Sequence, residues 1–321
     1  MSKLVRDNIS MQDIKIPQEI LREIADSESD FCRKVRKCDP FEGAKNLTPT
    51  YKNTLNQLER FYGKERLQRS TILEIGSGNG FFLCYALKVG LNIVGIEPGK
   101  TYGFQDRYSR AIKLMKLNGI QSPENFLFDA TIENLPFKDN TFDVVFNVAV
   151  LEHVQSLDLA MRESVRVLKP DGILWANIPN YNSIYEGHYD IFWIPYMKKN
   201  MAKLYVKKLF GRDPYFIDEL NFTTPSMFKK YLNSHETFGE LYLHSWGLFA
   251  NVFEIYKYCL NNKLLPSPEK YPGIKKIVIL LLRIKPLSLF LKLPLYVVVK
   301  AMEFFGLAIT FDMILYKRLR R

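Results

Sequence analysis

Cysteine is scarce in this 321-residue chain: Cys32, Cys38, Cys84 and Cys259, with no C-x-x-C spacing. That argues against a disulfide framework and reads as reduced thiols in a cytosolic setting. Histidine is equally rare, so His153, His188, His235 and His244 are a short list for any imidazole chemistry. Long uninterrupted apolar runs are missing too. The most apolar stretch, residues 274–305, is broken by Lys275, Lys276, Arg283, Lys285, Pro286, Lys292, Pro294, Lys300 and Glu303. None of its pieces reaches the roughly 18 residues a spanning helix needs. Acids are sparse at the same end: residues 251–321 carry 13 Lys or Arg against 4 Asp or Glu, most of the net charge of +11. The first residues are polar and mixed in charge, without a signal-peptide pattern.

What is present is the composition of a soluble globular protein with a sizeable core, 47% hydrophobic and 25% charged. The chain is organised around Thr71-Ile-Leu-Glu-Ile-Gly-Ser-Gly-Asn-Gly-Phe81. An apolar run that reads as a buried strand ends at glycines on alternate positions, Gly76, Gly78 and Gly80. A helix with one apolar face follows from Phe81 to Val89. Glycines at such a turn admit a sharp bend and a close ligand, and the helix start adds free N–H donors. The dinucleotide fingerprint G-x-G-x-x-G requires its third glycine at position 81, which is Phe. A dehydrogenase is therefore disfavoured.

Downstream, Asn92–Ile96 reads as a second strand that stops at Glu97-Pro98. An acid about 20 positions past a glycine turn is placed to accept from both ribose hydroxyls. Helices are expected over 16–25, 50–62 and 102–117, with further strands at 125–128, 144–148 and 173–178. A helix is expected to open at Val150 and run to Leu168, stopped by Lys169-Pro-Asp-Gly172. Strand–helix alternation of this kind predicts a parallel sheet with covering helices. Tyr51 reads either as an ordinary core tyrosine or as part of the pocket wall. Thr224-Pro225 opens a helix, and strands are expected at 239–246 and 307–316.

The pattern E-x-G-x-G-x-G (Glu74, Gly76, Gly78, Gly80), the run Leu135-Pro-Phe137 with Asp139-Asn-Thr-Phe-Asp143, and Val150-Leu-Glu-His-Val154 resemble the class I S-adenosylmethionine (SAM) methyltransferases. The similarity is to the subfamily that includes the ubiquinone and sterol methylating enzymes, and it covers about a third of the chain. It implies a Rossmann-like, seven-stranded, mostly parallel sheet with helices on both faces. N-terminal helices and a C-terminal apolar helical insertion are expected to complete the fold. The division follows: a helical cap over 1–68, a SAM-binding core over 69–180, an acceptor-side insertion over 181–235, and the last strands with an apolar basic segment (about 251–305) over 236–321.

The resemblance implies SAM as cofactor. It would be held by Glu74, Gly76, Ser77, Gly78, Gly80, Glu97, Asp129, Ala130 and Asn147, with Asp129 and Ala130 at the adenine. Ligands of open parallel sheets bind beyond the carboxyl ends of the strands. There the sequence places His153, in the segment that lines the active site in this family, and His188, within Tyr185-Glu-Gly-His-Tyr-Asp-Ile-Phe-Trp-Ile-Pro195. His188 is the first choice for a general base; His153 is the second and reads also as packing over the cofactor. Tyr181, Tyr189 and Trp193 are expected to meet the acceptor, the alternative for this aromatic cluster being a hydrophobic plug that packs the insertion onto the domain. Displacement at a sulfonium carbon calls for alignment and proton removal and no metal. The acceptor is expected to be a small or lipid-linked molecule, such as a hydroxyl of a surface-glycan sugar or a prenylated ring. The apolar basic tail suits an anionic membrane surface, giving a cytoplasmic protein peripheral at the inner face. The alternatives are a nucleic-acid methyltransferase and a non-catalytic membrane-associated module. Against the former, the basic residues sit among aliphatics, and no Asn-Pro-Pro-Tyr tetrapeptide occurs.

Overall fold

A computed structural model of the chain describes residues 13–47, 50–99, 106–244 and 310–319. Among the described residues four helices precede the first strand: α1 (Gln18–Ser27), α2 (Pro40–Leu47), α3 (Thr50–Tyr62) and α4 (Lys64–Gln68). A π-helical turn, Phe31–Arg36, lies between α1 and α2. Strands and helices then alternate as β1 (Thr71–Ile75), α5 (Phe81–Lys88), β2 (Asn92–Ile96), α6 (Arg107–Leu117), β3 (Leu127–Phe128), β4 (Phe142–Val148), α7 (Leu157–Val167) and β5 (Leu168–Pro179). A short hairpin, β6 (Tyr185–Glu186) with β7 (Ile191–Phe192), leads into α8 (Lys199–Phe210) and α9 (Pro225–Leu232). β8 (Thr237–His244) and β9 (Thr310–Lys317) complete the described chain.

The seven strands of the main sheet lie in the order β3-β2-β1-β4-β5-β9-β8. β1 to β5 are parallel, and β9 runs antiparallel between β5 and β8. The order reverses between β1 and β4, which sets the crevice for a ligand at their carboxyl ends. Alternation along each strand divides the core. Ile72, Val144, Phe146 and Trp175 pack with α3, α5 and α6 on one face. Leu73, Ile75, Val145, Leu174 and Ala176 pack with α7 and α9 on the other. A third, separate cluster joins Val35 to Tyr181, Tyr189, Trp193, Ala202, Val206, Phe216 and Ile217. The segment after β5 thus has a small core of its own.

Three local expectations are corrected. The helix expected from Val150 begins only at Leu157, because the Ser156 side chain caps it by accepting from the Leu159 N–H at 3.3 Å. Glu152 and His153 therefore sit on the loop between β4 and α7. Lys169-Pro-Asp-Gly172 does not end an element but bulges from β5: Leu168 pairs with Phe142, and pairing resumes at Ile173 with Val144. Asp171 takes a positive φ of 61° there. The third correction is that Asn125 belongs to a 3-10 turn before β3. The expected apolar helical insertion, about 251–305, and Trp246 at the end of the expected sixth strand lie outside the described residues. No described helix is long and apolar enough to cross a membrane.

Candidate active site

At the carboxyl ends of β1, β2 and β4 lies a cavity of about 510 Å³. Its floor is the glycine turn. Gly76 and Ser77 both donate to the Ile96 carbonyl at 2.9 Å, which ties the turn to β2. Gly76, at φ 76°, carries no Cβ because one there would lie 2.5 Å from Val150 Cγ2. Gly78, at φ 56°, has nothing within 4 Å of the corresponding position, so the floor is open above it. Gly80 has a different task and does not face the cavity. A Cβ on it would strike Ala111 of α6 at 2.7 Å, so it sets how closely α5 and α6 pack.

Two of the three glutamates that line this cavity, Glu74 and Glu97, lie at the glycine turn. Glu74 is nearly buried, and its Oε2 has no hydrogen-bond partner among the described residues. Burial pushes its carboxyl up to about 8, against a hydrogen bond with Ser77 and aided by the nearby charge of Glu97. Glu97 Oε2 accepts from the Gly78 N–H at 2.7 Å. Burial raises its pKa too, opposed by Arg107, the Gly78 N–H and Arg110. Arg107 lines the same cavity and pairs with Glu28 at 2.9 Å. A buried carboxylate oxygen without a donor fits an ammonium group, and an acid at the end of β2 fits a ribose diol. The cavity therefore fits SAM: Glu74 for its amino group, Glu97 for its ribose, and the open Gly76-Ser77-Gly78 floor for close approach.

Other expected cofactor residues are placed as follows. Ala130 lines the cavity, together with Thr131, Ile132 and Glu133. Asp129 does not; it is exposed, and its Oδ1 accepts from the Gly99 N–H at 2.6 Å. Ser77 lines the cavity, but its Oγ leans on β2, 2.2 Å from where a Cβ on Gly95 would stand. Asn147 is 1% exposed and absent from the cavity wall, whereas its neighbours Phe146 and Val148 are part of it. Strand alternation turns Asn147 to the opposite face of the sheet, where neither amide atom has a partner among the described residues. Tyr51 stands in the cavity wall, its hydroxyl bonded to Asp13 at 2.5 Å and its ring against Tyr85.

Beyond the cavity the two expected histidines come together. His153 is part of the wall, and its ring centroid lies 5.4 Å from that of His188, edge to face. His188 Nδ1 is 2.7 Å from Glu186 Oε1 and 3.5 Å from the Tyr181 hydroxyl. The other Glu186 oxygen accepts from the Tyr189 N–H at 2.6 Å, which fixes the carboxylate. Burial drives the His153 imidazole down to about 3, helped by the charge of His188. His188 is also pulled down by burial, but Glu186 prevails and holds it above its usual value. Glu152, next to His153, is 0% exposed, neither carboxylate oxygen has a hydrogen-bond partner among the described residues, and burial lifts it to about 7. Near neutral pH His153 is therefore neutral, and Glu186 orients the His188 ring and makes it the more basic of the two imidazoles. Ligand atoms of Glu152, His153 and His188 also lie within 4.8 Å of one another, a set able to close on a divalent cation.

The three aromatic residues expected at the acceptor are corrected to packing roles. Tyr189 and Trp193 are 0% exposed and Tyr181 4%, and none lines the cavity. Tyr181 stacks on Phe222 with centroids 4.5 Å apart, Trp193 Nε1 donates to the Tyr181 carbonyl, and the Tyr189 hydroxyl donates to the Asp213 carbonyl. Their work is to seat the hairpin that carries Glu186 and His188. Arg212 strengthens that seat by donating to the carbonyls of Val35, Arg36 and Tyr189. Sequence reasoning assigned no role to Glu152, Glu186 or Arg107. The Glu-x-His spacing of Glu186 and His188 was the available signal for the second of these.

An open parallel sheet with this turn, two acids and a cavity at the strand-order reversal defines a nucleotide-cofactor protein. Residues 73–176 match the family model described as a methyltransferase domain, and that stretch is similar to SAM-dependent methyltransferases. It is similar to the ubiquinone biosynthesis O-methyltransferase of Bartonella quintana, 27% identical over 164 residues, covering 47% of this chain and 63% of that protein. A tRNA U34 carboxymethyltransferase of Ruthia magnifica is 31% identical over 109 residues, covering 34% of this chain and 32% of that protein. The chain spans 63% of the Bartonella quintana relative and 52% of the corresponding enzyme of Chelativorans. Among solved structures, the geranyl diphosphate C-methyltransferase of Streptomyces coelicolor matches with a TM-score of 0.48. It is 12% identical, with 84% of this chain and 79% of that chain covered.

Proposed function

We propose that this chain transfers the methyl group of SAM to a hydroxyl of a small molecule, with the His188–Glu186 pair receiving the hydroxyl proton. The observation that supports this most directly is the cavity itself. Glu74 and Glu97 frame one part of it, and His153 stands in its wall against His188. When bound, SAM supplies an electrophilic methyl on a sulfonium. The chain's own residues align the partners and hold the proton. Glu74 and Glu97 orient the cofactor, neutral His153 presents an apolar-to-polar edge, and Glu186 stabilises the imidazolium that forms on His188.

A lipid-linked acceptor, a glycan sugar or a prenylated ring, remains part of this proposal, motivated by the apolar and basic character of the chain after β5. A second reading comes from the Glu152, His153 and His188 group. A divalent cation held there would lower the pKa of the acceptor hydroxyl in place of the imidazole.

The test is calorimetric titration with S-adenosylhomocysteine and, separately, NAD, followed by an acceptor screen of glycan and lipid extracts with labelled SAM. Micromolar binding of the first alone, lost in Glu97→Ala, supports the cofactor assignment; no binding overturns it. With an acceptor in hand, His188→Asn lowers kcat by ~10²–10⁴-fold at unchanged S-adenosylhomocysteine affinity. Loss of activity in EDTA, restored by Mg²⁺ or Mn²⁺, selects the metal-assisted reading instead. Salt-sensitive retention of RNA together with labelled RNA product would favour a nucleic-acid acceptor.

A further inference from the structure

α8 is built with two unlike faces. Ala202 and Val206 are buried in the insertion's own core with Tyr189 and Trp193. On the opposite side Met201 and Leu204, three residues apart and so on one helical stripe, are 62% and 59% exposed. Lys207 and Lys208 follow on the same side, three and four residues past Leu204, and both are exposed. Leu209 and Phe210 close the helix, Leu209 at 71% exposure. The neighbouring hairpin adds more apolar surface. Phe192, Ile194 and Tyr196 are exposed, and the Tyr205 hydroxyl of α8 donates to the Phe192 carbonyl at 2.9 Å, so the two elements adjoin.

The charge along α8 itself is of one sign. Residues 198–212 contain Lys198, Lys199, Lys203, Lys207, Lys208 and Arg212 and no acid. Lys203 is paired with Asp218, but no ion pair involves Lys198, Lys207 or Lys208 among the described residues. Single apolar side chains on a surface need no explanation, whereas a cluster ringed by cations does.

We propose that the outer face of α8, with the exposed apolar residues of the adjoining hairpin, docks on an anionic lipid bilayer. Aliphatic side chains enter the acyl boundary while lysines reach the headgroups, a combination that depends on area and on charge together. A nucleic-acid surface would instead present aromatic platforms along a polar groove. The reversed side of the same segment seats His188 and Glu186, so docking brings the candidate base pair to the membrane. This inference rests on the segment's surface and holds whether or not the cavity transfers a methyl group.

The test is co-sedimentation of the full chain with phosphatidylcholine vesicles, with and without phosphatidylglycerol, at low and high salt. Partition is expected only with phosphatidylglycerol and is expected to fall at high salt. Lys207→Glu with Lys208→Glu, and separately Met201→Glu with Leu204→Glu, are each expected to lower partition at least ~10-fold. Both pairs are solvent-facing, and unchanged S-adenosylhomocysteine affinity or circular dichroism confirms that the variants are folded. Wild-type-like partition in both variants would overturn the proposal by moving the contact to another part of the chain. Absence of wild-type binding to anionic vesicles would overturn it outright, as would capture of RNA in preference to vesicles.

Discussion

Glu74 offers the most stringent test, because one substitution is expected to act in opposite directions on stability and on binding. Its carboxyl is buried against Glu97 and raised from 4.5 to about 8. A gap of that size corresponds to an upper figure of about 5 kcal/mol for ionising the group in the folded protein. Relaxation and water entry bring the expected effect to ~2–5 kcal/mol. The sign follows from proton uptake. The native state keeps a proton that the unfolded chain releases, so this group's contribution to stability is complete below pH 4.5. It is lost as pH rises through about 8. Glu74→Gln is nearly isosteric with the protonated acid and never ionises. Its Tm is expected to match the wild type near pH 4.5 and to exceed it by at least ~5 °C at pH 8.5. Glu97 is common to both proteins and leaves the comparison intact to first order. Binding is expected to move the other way. Loss of a charge-assisted contact to an ammonium weakens S-adenosylhomocysteine by ~10–100-fold. In the wild type at pH 7, binding should release a proton, read as an enthalpy that differs between buffers of different ionisation heat. A pH-independent Tm difference, or unchanged affinity in Glu74→Gln, would refute the assignment of Glu74 as the ammonium partner.

Glu186→Gln removes the charge that holds the His188 pKa above 6.5, leaving burial to pull it down. The acid limb of the pH–rate profile is therefore expected to move to lower pH, and an unmoved limb would separate His188 from proton transfer. Gly76→Ala is expected to cost about 2–4 kcal/mol, from the 2.5 Å approach to Val150 and the positive φ. Gly78→Ala, with open space around it, is expected to cost only ~1 kcal/mol by thermal denaturation yet weaken S-adenosylhomocysteine measurably. Trp193→Ala is expected to destabilise by about 3–5 kcal/mol through the cavity it leaves in the insertion core, without changing S-adenosylhomocysteine affinity. Altered cofactor affinity there would return Trp193 to the site.

The half of the site proposed for the cofactor was written into local sequence. The turn from Glu74 to Gly80 and the acid at Glu97 depend on strand ends, glycine backbone freedom and short spacing, all properties of a few consecutive residues. The same holds for the alternation that builds β1 to β5 and for the proline-started α9. Which side of a strand a residue takes follows from parity, yet Asn147 shows that parity needs a reference. Only the packing of α5 and α6 against one face and α7 and α9 against the other decides that Phe146 and Val148 face the cavity while Asn147 turns away.

The acceptor half was decided by tertiary structure. Tyr189 and Trp193 read in sequence either as a ligand-stacking cluster or as a hydrophobic plug, and the insertion is long enough to need its own core and uses its largest rings to fill it. Glu152 and His153 come from the loop after β4, and Glu186 and His188 from the β6–β7 hairpin, which the fold brings side by side. Desolvation at that junction, a sum over neighbours distant in the chain, drives His153 down and Glu152 up. Sequence alone determined which chemical groups this protein owns and the turn proposed to receive the cofactor. Burial and long-range packing decided which of those groups face one another and which carry a proton at neutral pH.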